Sequence, residues 1–178
     1  MKKLLAILVF FLVHGELANA QGQVVRQDVE GIVNFAQIES TVACAGAISP
    51  ESVTQIRDMG FRSIINLRLA SEEGANVETE AAAADAAGIK YVHLPFGGET
   101  LDPTVADRFL VTITEPDTSP AFIHCAGGGR ASMMWFIKRV VVDGWEIDTA
   151  FEEAAALGLS ETGPGRAFAL DYIAARAQ

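Results

Sequence analysis

The sequence predicts an α/β fold, a mostly parallel sheet of about four or five strands flanked by helices. Three observations carry that expectation. Apolar runs centred on Ile64-Ile65, Val92 and Phe122-Ile123 read as strands. Helical stretches separate them, and strands alternating with helices favour a parallel sheet covered on both faces. No linker or break in composition divides the chain.

The elements follow in order. Residues 21–39 are polar and read as an irregular lead-in with one short strand at 32–35, before order begins at Ser40-Thr41-Val42-Ala43. Ser49 as N-cap, Pro50 at the first helical position and Glu51 behind it start a helix running to Met59 and stopped by Gly60. Residues 62–68 form a buried strand, 76–87 an alanine-rich helix closed by Gly88, and 90–95 another strand. A loop with Gly97, Gly98 and Pro103 leads into a helix over 103–114. After the turn at 116–120, residues 121–124 make a further buried strand, and a Gly-rich loop at 125–129 opens a helix to Val142. Two last helices fall at 147–157 and 164–176.

The first twenty residues stand apart. Lys2 and Lys3 precede ten apolar residues, Leu4 to Val13, and Ala18-Asn19-Ala20 closes the segment. A basic start, a short apolar run and an A-x-A end make a secretory signal peptide cleaved after Ala20. Ten helical residues rise about 15 Å, half of a roughly 30 Å hydrocarbon core, so no stable membrane anchor is expected after cleavage. The expected product is periplasmic or secreted. Removing residues 1–20 from 178 leaves 158, enough for one domain with a full core, here residues 40–178. The net charge of −10 becomes −11 once Lys2, Lys3 and Glu16 are gone. That balance argues against nucleic acid or an anionic membrane as partner, while leaving room for a small anion in a local basic pocket.

Such a pocket is encoded at His124-Cys125-Ala126-Gly127-Gly128-Gly129-Arg130, between a buried strand and a helix. Backbone N–H groups of Ala126 to Gly129 around a tight arc, with the positive end of the next helix, form an anion cradle. Cys125 heads the arc as the nucleophile, and the planar fork of Arg130 can hold two phosphoryl oxygens. These parts suit attack on phosphorus through a cysteinyl-phosphate intermediate. His124 reads as a core histidine whose side chain hydrogen-bonds and orients the loop.

These residues resemble the Cys-based protein tyrosine phosphatases of the dual-specificity type. The chain is more closely similar to the bacterial beta-lactamase-hydrolase-like phosphatase domains. The likeness spans roughly 40–160, through Gly46 to Glu51, Gly60 to Arg68, Glu78 to Phe96 and Gly144 to Gly158. It implies a dual-specificity-phosphatase-like fold and hydrolysis of a phosphorylated protein or small molecule, with no cofactor and no metal. Four residues separate Cys125 from Arg130, against five in the wider superfamily; the bacterial branch often has the short form. Rhodanese-like sulfurtransferases also have four, so a Cys125 persulfide stays open, as does a non-catalytic anion-binding module. Ala131 stands where the superfamily has Ser or Thr, leaving Ser132 as a substitute one step further.

A phosphatase also needs an acid for the leaving oxygen. Asp102 is the first choice and Glu99 the second, although Asp102 before Pro103 equally reads as a helix cap. Arg68, at the end of a core strand, is placed either to meet the anion or to stay a surface charge. Cys44 reads as a packed core thiol. A Cys44–Cys125 disulfide is the lesser alternative in an oxidising compartment. The histidines and cysteines lack the paired ligand spacing of a zinc site.

Overall fold

The computed structural model describes residues 22–38, 40–97 and 101–176. The expected signal segment, residues 1–20, and Glu99 lie outside them. The elements are β1 (Val24–Arg26), β2 (Ala36–Ile38), β3 (Val42–Ala45), α1 (Ser52–Asp58), β4 (Ser63–Asn66), α2 (Val77–Ala87), β5 (Lys90–His93), α3 (Pro103–Thr114), β6 (Ala121–His124), α4 (Gly129–Val141), α5 (Ile147–Leu157) and α6 (Pro164–Ala174).

They build one six-stranded sheet in the order β1-β2-β3-β6-β4-β5. The pairs β3–β6, β6–β4 and β4–β5 are parallel, and β1–β2 and β2–β3 are antiparallel. Strand β6 therefore sits between two parallel neighbours, and all four of its residues are buried. Because side chains alternate along a strand, β6 feeds two cores. Phe122 joins Ala43, Ala45, Ile64 and the α1–α2 residues Val53, Ile56 and Ala84 on one face. Ile123 and Cys125 join Cys44, Ile65 and the α3–α6 side chains on the other. Helix α4 is buried from Ala131 through Ile137, so it docks deep against the sheet and fixes the loop before it. Trp135 within it donates Nε1–H to Glu153 at 2.8 Å, and Arg139 pairs with the same carboxylate at 2.7 Å.

Three expectations are corrected. Residues 21–39 are not an irregular lead-in, since β1 and β2 extend the sheet and raise its strand count to six. The strand expected at 32–35 falls instead at 36–38, because Asn34 takes φ +50° and interrupts it, leaving Ile32 in isolated bridges. Helix α1 starts at Ser52 rather than just after Ser49. The Ser49 hydroxyl is engaged with that of Ser52 at 3.0 Å and so does not cap a backbone N–H.

Candidate active site

The end of β6 delivers Cys125 to the start of α4 through Ala126, Gly127 and Gly128. The arc is pinned from outside: Cys125 N–H donates to the Ala45 carbonyl (3.2 Å), Ala47 N–H to that of Ala126 (2.9 Å), and Asn34 Nδ2 to that of Gly127 (3.1 Å). Gly128 turns the chain into the helix at φ +100°, a conformation that L side chains rarely adopt. The Gly128 N–H points at the Cys125 sulfur, 3.1 Å away. Gly129 and Arg130 occupy the first turn of α4, where backbone N–H groups have no intrahelical acceptor and the helix dipole is positive. Cys125, Ala126, Gly127, Gly128, Gly129 and Arg130 thus form one continuous arc from the end of β6 into the first turn of α4.

Arg130 is held by more than this arc. Its Nη1 donates to Glu72 Oε1 (2.6 Å), to the Phe96 carbonyl (2.7 Å) and to the Leu67 carbonyl (3.2 Å), and Nη2 donates to Glu72 Oε2 (2.8 Å). Glu72 takes the end of the fork. The remaining edge, Nε–H and the second Nη2–H, is left by Glu72 to the Cys125 side chain, which interacts with this guanidinium. Such an edge has the geometry to hold two oxygens of an anion side-on. Burial opposes the Arg130 charge, but the Glu72 carboxylate and the Cys125 sulfur outweigh it and hold the guanidinium above its usual pKa. Gly97 leaves the space this needs, since a Cβ there would lie 2.7 Å from Arg130 Nη1.

Arg68 corrects both expectations made for it. It is neither bound toward the anion nor a surface charge. Only 3% exposed, it donates to the carbonyls of Gly74 (2.6 Å) and Glu73 (2.5 Å) and reaches Glu72 Oε2 at 3.4 Å. It braces the loop that presents Glu72 to Arg130. Nothing in the sequence singles out Glu72 beyond its place four residues after Arg68.

The Arg130 bonds, against the cost of burial and helped by the Leu69 N–H and Arg68, lower the Glu72 carboxyl from 4.5 to about 2. A carboxylate depressed on folding stabilises the protein above its unfolded pKa and loses that contribution as pH falls through the folded one. The expected contribution is roughly 3 kcal/mol, present above pH 4.5 and lost between there and about 2. Urea unfolding across that range should show Glu72→Gln less stable at neutral pH and converging on the parent in acid.

His124 is fully buried and faces the α2 side of the sheet, not the loop. Its Nε2 lies 3.4 Å from Oε2 of buried Glu80, and neither ring nitrogen has a hydrogen-bond partner among the described residues. The expectation that its side chain orients the loop by hydrogen bonding is therefore corrected; it does so through the backbone, its carbonyl accepting from Leu67 N–H at 2.9 Å. Glu80 also accepts from Asn66 (2.7 Å) and Tyr91 (3.0 Å), a buried cluster that sequence reasoning missed. Ser132 donates to the Gly128 carbonyl at 3.1 Å, steadying the arc from below. Cys44 and Cys125 are both free thiols, Cys44 fully buried and Cys125 2% exposed, and burial pushes the Cys44 thiol well above its ordinary pKa despite the Ser132 hydroxyl beside it. Asp102 accepts from the N–H (2.9 Å) and hydroxyl (2.8 Å) of Thr104 as the N-cap of α3, and is exposed. No bond from it to Cys125 or Arg130 is seen among the described residues.

This sheet, with a cysteine-headed anion arc closed by an arginine, defines a Cys-based phosphatase-like domain. Residues 34–142 match the beta-lactamase hydrolase-like protein, phosphatase-like domain, and the chain belongs to that family. Beta-lactamase hydrolase-like proteins of Xylella fastidiosa (strain Temecula1) and Agrobacterium fabrum are 29% identical over 111 residues and 33% over 103. Those matches cover 61% and 57% of this chain but 26% and 24% of the relatives, so the chain spans about a quarter of their length. Among solved structures, P. aeruginosa TpbA in complex with phosphotyrosine has TM-score 0.62 at 16% identity, over 86% of this chain and 96% of that one. The S. cerevisiae PP-IP phosphatase SIW14 core in complex with citrate has TM-score 0.64 at 17% identity, over 84% and 88%. These neighbours share the fold. The sulfurtransferase alternative is not favoured by any of these matches.

Proposed function

We propose that the protein is an exported Cys-dependent phosphoric monoester hydrolase. The observation that carries this reading is the Arg130 fork, fixed at its end by Glu72 with its side edge left beside Cys125. Cys125 Sγ attacks phosphorus and forms the S–P bond as the ester P–O bond breaks. Arg130 and the N–H groups of Ala126 to Arg130 hold the phosphoryl oxygens as charge develops on them. Asp102 gives its proton to the leaving oxygen, and water then cleaves the cysteinyl phosphate. Support for a phosphorylated substrate comes from TpbA, whose complex holds phosphotyrosine. The basic start, apolar run and Ala18-Asn19-Ala20 end of residues 1–20 support export to the periplasm or outside the cell; mass spectrometry of exported protein should find Gln21 first.

The general test is release of inorganic phosphate from aryl phosphates. The acid has a sharper one. Asn is as good an N-cap as Asp, so Asp102→Asn keeps the start of α3 but cannot donate a proton. Hydrolysis of phenyl phosphate, a poor leaving group, should fall about 10²-fold or more while that of para-nitrophenyl phosphate changes little. Equal rates in parent and variant on both esters would leave Asp102 as a cap only.

A further inference from the structure

A second arginine stands beside the site. Between the first turn of α4 and the segment joining α5 to α6 lies a cavity of about 260 Å³. Leu101, Met133 and Leu159 give it apolar walls, and Arg130 and Arg166 both line it, with no carboxylate residue in its lining among the described residues. In a chain with 23 acidic and 13 basic residues, that is a local reversal of the overall field.

Arg166 lies in the first turn of α6, after Pro164 and Gly165. Its guanidinium sits over the Phe151 ring at 4.6 Å, and Phe151 is itself held edge-on against Phe136 at 5.8 Å. Stacking fixes the plane without using its N–H donors. Arg166 Nε is buried with no hydrogen-bond partner among the described residues. The contrast with Arg68, Arg130 and Arg139 is plain, since each of those holds a carboxylate. The Arg166 guanidinium is thus left without a carboxylate among the described residues, and the cavity that Arg166 lines is where an anionic acceptor can reach it. Arg166 also lies beyond residues 34–142, the part matched by the family.

We propose that Arg166 binds a second oxyanion of the substrate. The preferred substrate is then a small phosphomonoester whose leaving group is an apolar body bearing a carboxylate or a second phosphate. The cavity of about 260 Å³ lies just below the roughly 300 Å³ at which ligand pockets begin, enough for one ring or a short chain. The inference rests on the phosphatase reading and names its substrate class.

The test compares kcat/KM for phenyl phosphate and para-carboxyphenyl phosphate. The parent should favour the carboxylated ester by about tenfold or more, mainly through KM, the scale of one charge-assisted pair. Arg166→Gln should bring the ratio near one, and Arg166→Lys should keep part of it. No preference in the parent, or the same ratio in the folded Gln or Lys variant as in the parent, overturns the proposal. So does Arg166 dependence confined to phosphotyrosine peptides with acidic neighbours, which would make the ligand a protein. Should neither ester be hydrolysed, the phosphatase reading itself fails, and calorimetric binding of the same two esters decides the Arg166 assignment alone. Tighter binding of the carboxylated ester, lost in Arg166→Gln, supports it; equal binding overturns it.

Discussion

Cys125→Ser is expected to lower aryl phosphate hydrolysis by at least ~10⁴-fold, the scale of loss when a catalytic nucleophile is removed. A serine hydroxyl is a weak nucleophile without an adjacent base to activate it, and the described residues place no carboxylate or imidazole in contact with Cys125. His124, the nearest in sequence, is buried toward Glu80 on the other face. The substitution is nearly isosteric at a site 2% exposed, and a serine oxygen can still accept from the Gly128 N–H. Folding should survive, as thermal unfolding will check. Binding should survive too, because the N–H arc remains and Glu72 still holds Arg130 by two bonds. The expected signature is therefore a variant that binds phenyl phosphate or inorganic phosphate and does not turn it over. Single-turnover experiments on the parent should capture labelled phosphate on Cys125. Sustained turnover by the serine variant would place the nucleophile elsewhere and end the mechanism given above.

Sequence signals for this fold were strongest where punctuation and periodicity agree. Helix α3 and strand β6 fall where Asp102-Pro103 and Pro120 mark their starts, and α5 begins just after the break at Gly144. The anion arc was legible for the same reason: a run of glycines between an apolar strand and an apolar helix has few structural uses. Strands β1 and β2 were not, being three residues each and closed by hydrogen bonds to neighbours rather than by any pattern of their own. Glu72 and Arg68 show the deeper limit. Their roles come from where a loop after β4 meets the first turn of α4, and a contact spanning 58 residues leaves no local trace. Glu80 is similar, a buried carboxylate in a helix whose alanines give no marked apolar face.

Arg130→Ala is expected to cost about 10³-fold in kcat/KM, the scale seen when a fork stabilising transferring phosphoryl charge is lost. More than one effect contributes. The variant loses two donors to the phosphoryl oxygens, and it leaves Glu72, a carboxylate 22% exposed, with only the Leu69 N–H and the longer Arg68 contact. A less compensated negative charge then stands beside the place where phosphate charge must gather. Arg130→Lys keeps the charge but not the plane. One ammonium cannot bind both oxygens of Glu72 end-on and two phosphoryl oxygens side-on, so most of the loss should remain. Glu72→Ala should lose less, about 10- to 10²-fold, because the fork stays but is no longer oriented. The double variant Arg130→Ala/Glu72→Ala decides between orientation and independent contributions. If Glu72 acts through Arg130, the second substitution adds little to the first and relieves part of it by removing that carboxylate. Multiplying losses would mean that Glu72 works on the substrate by a separate route, and that the end-on pair is not what aims Arg130 at phosphorus.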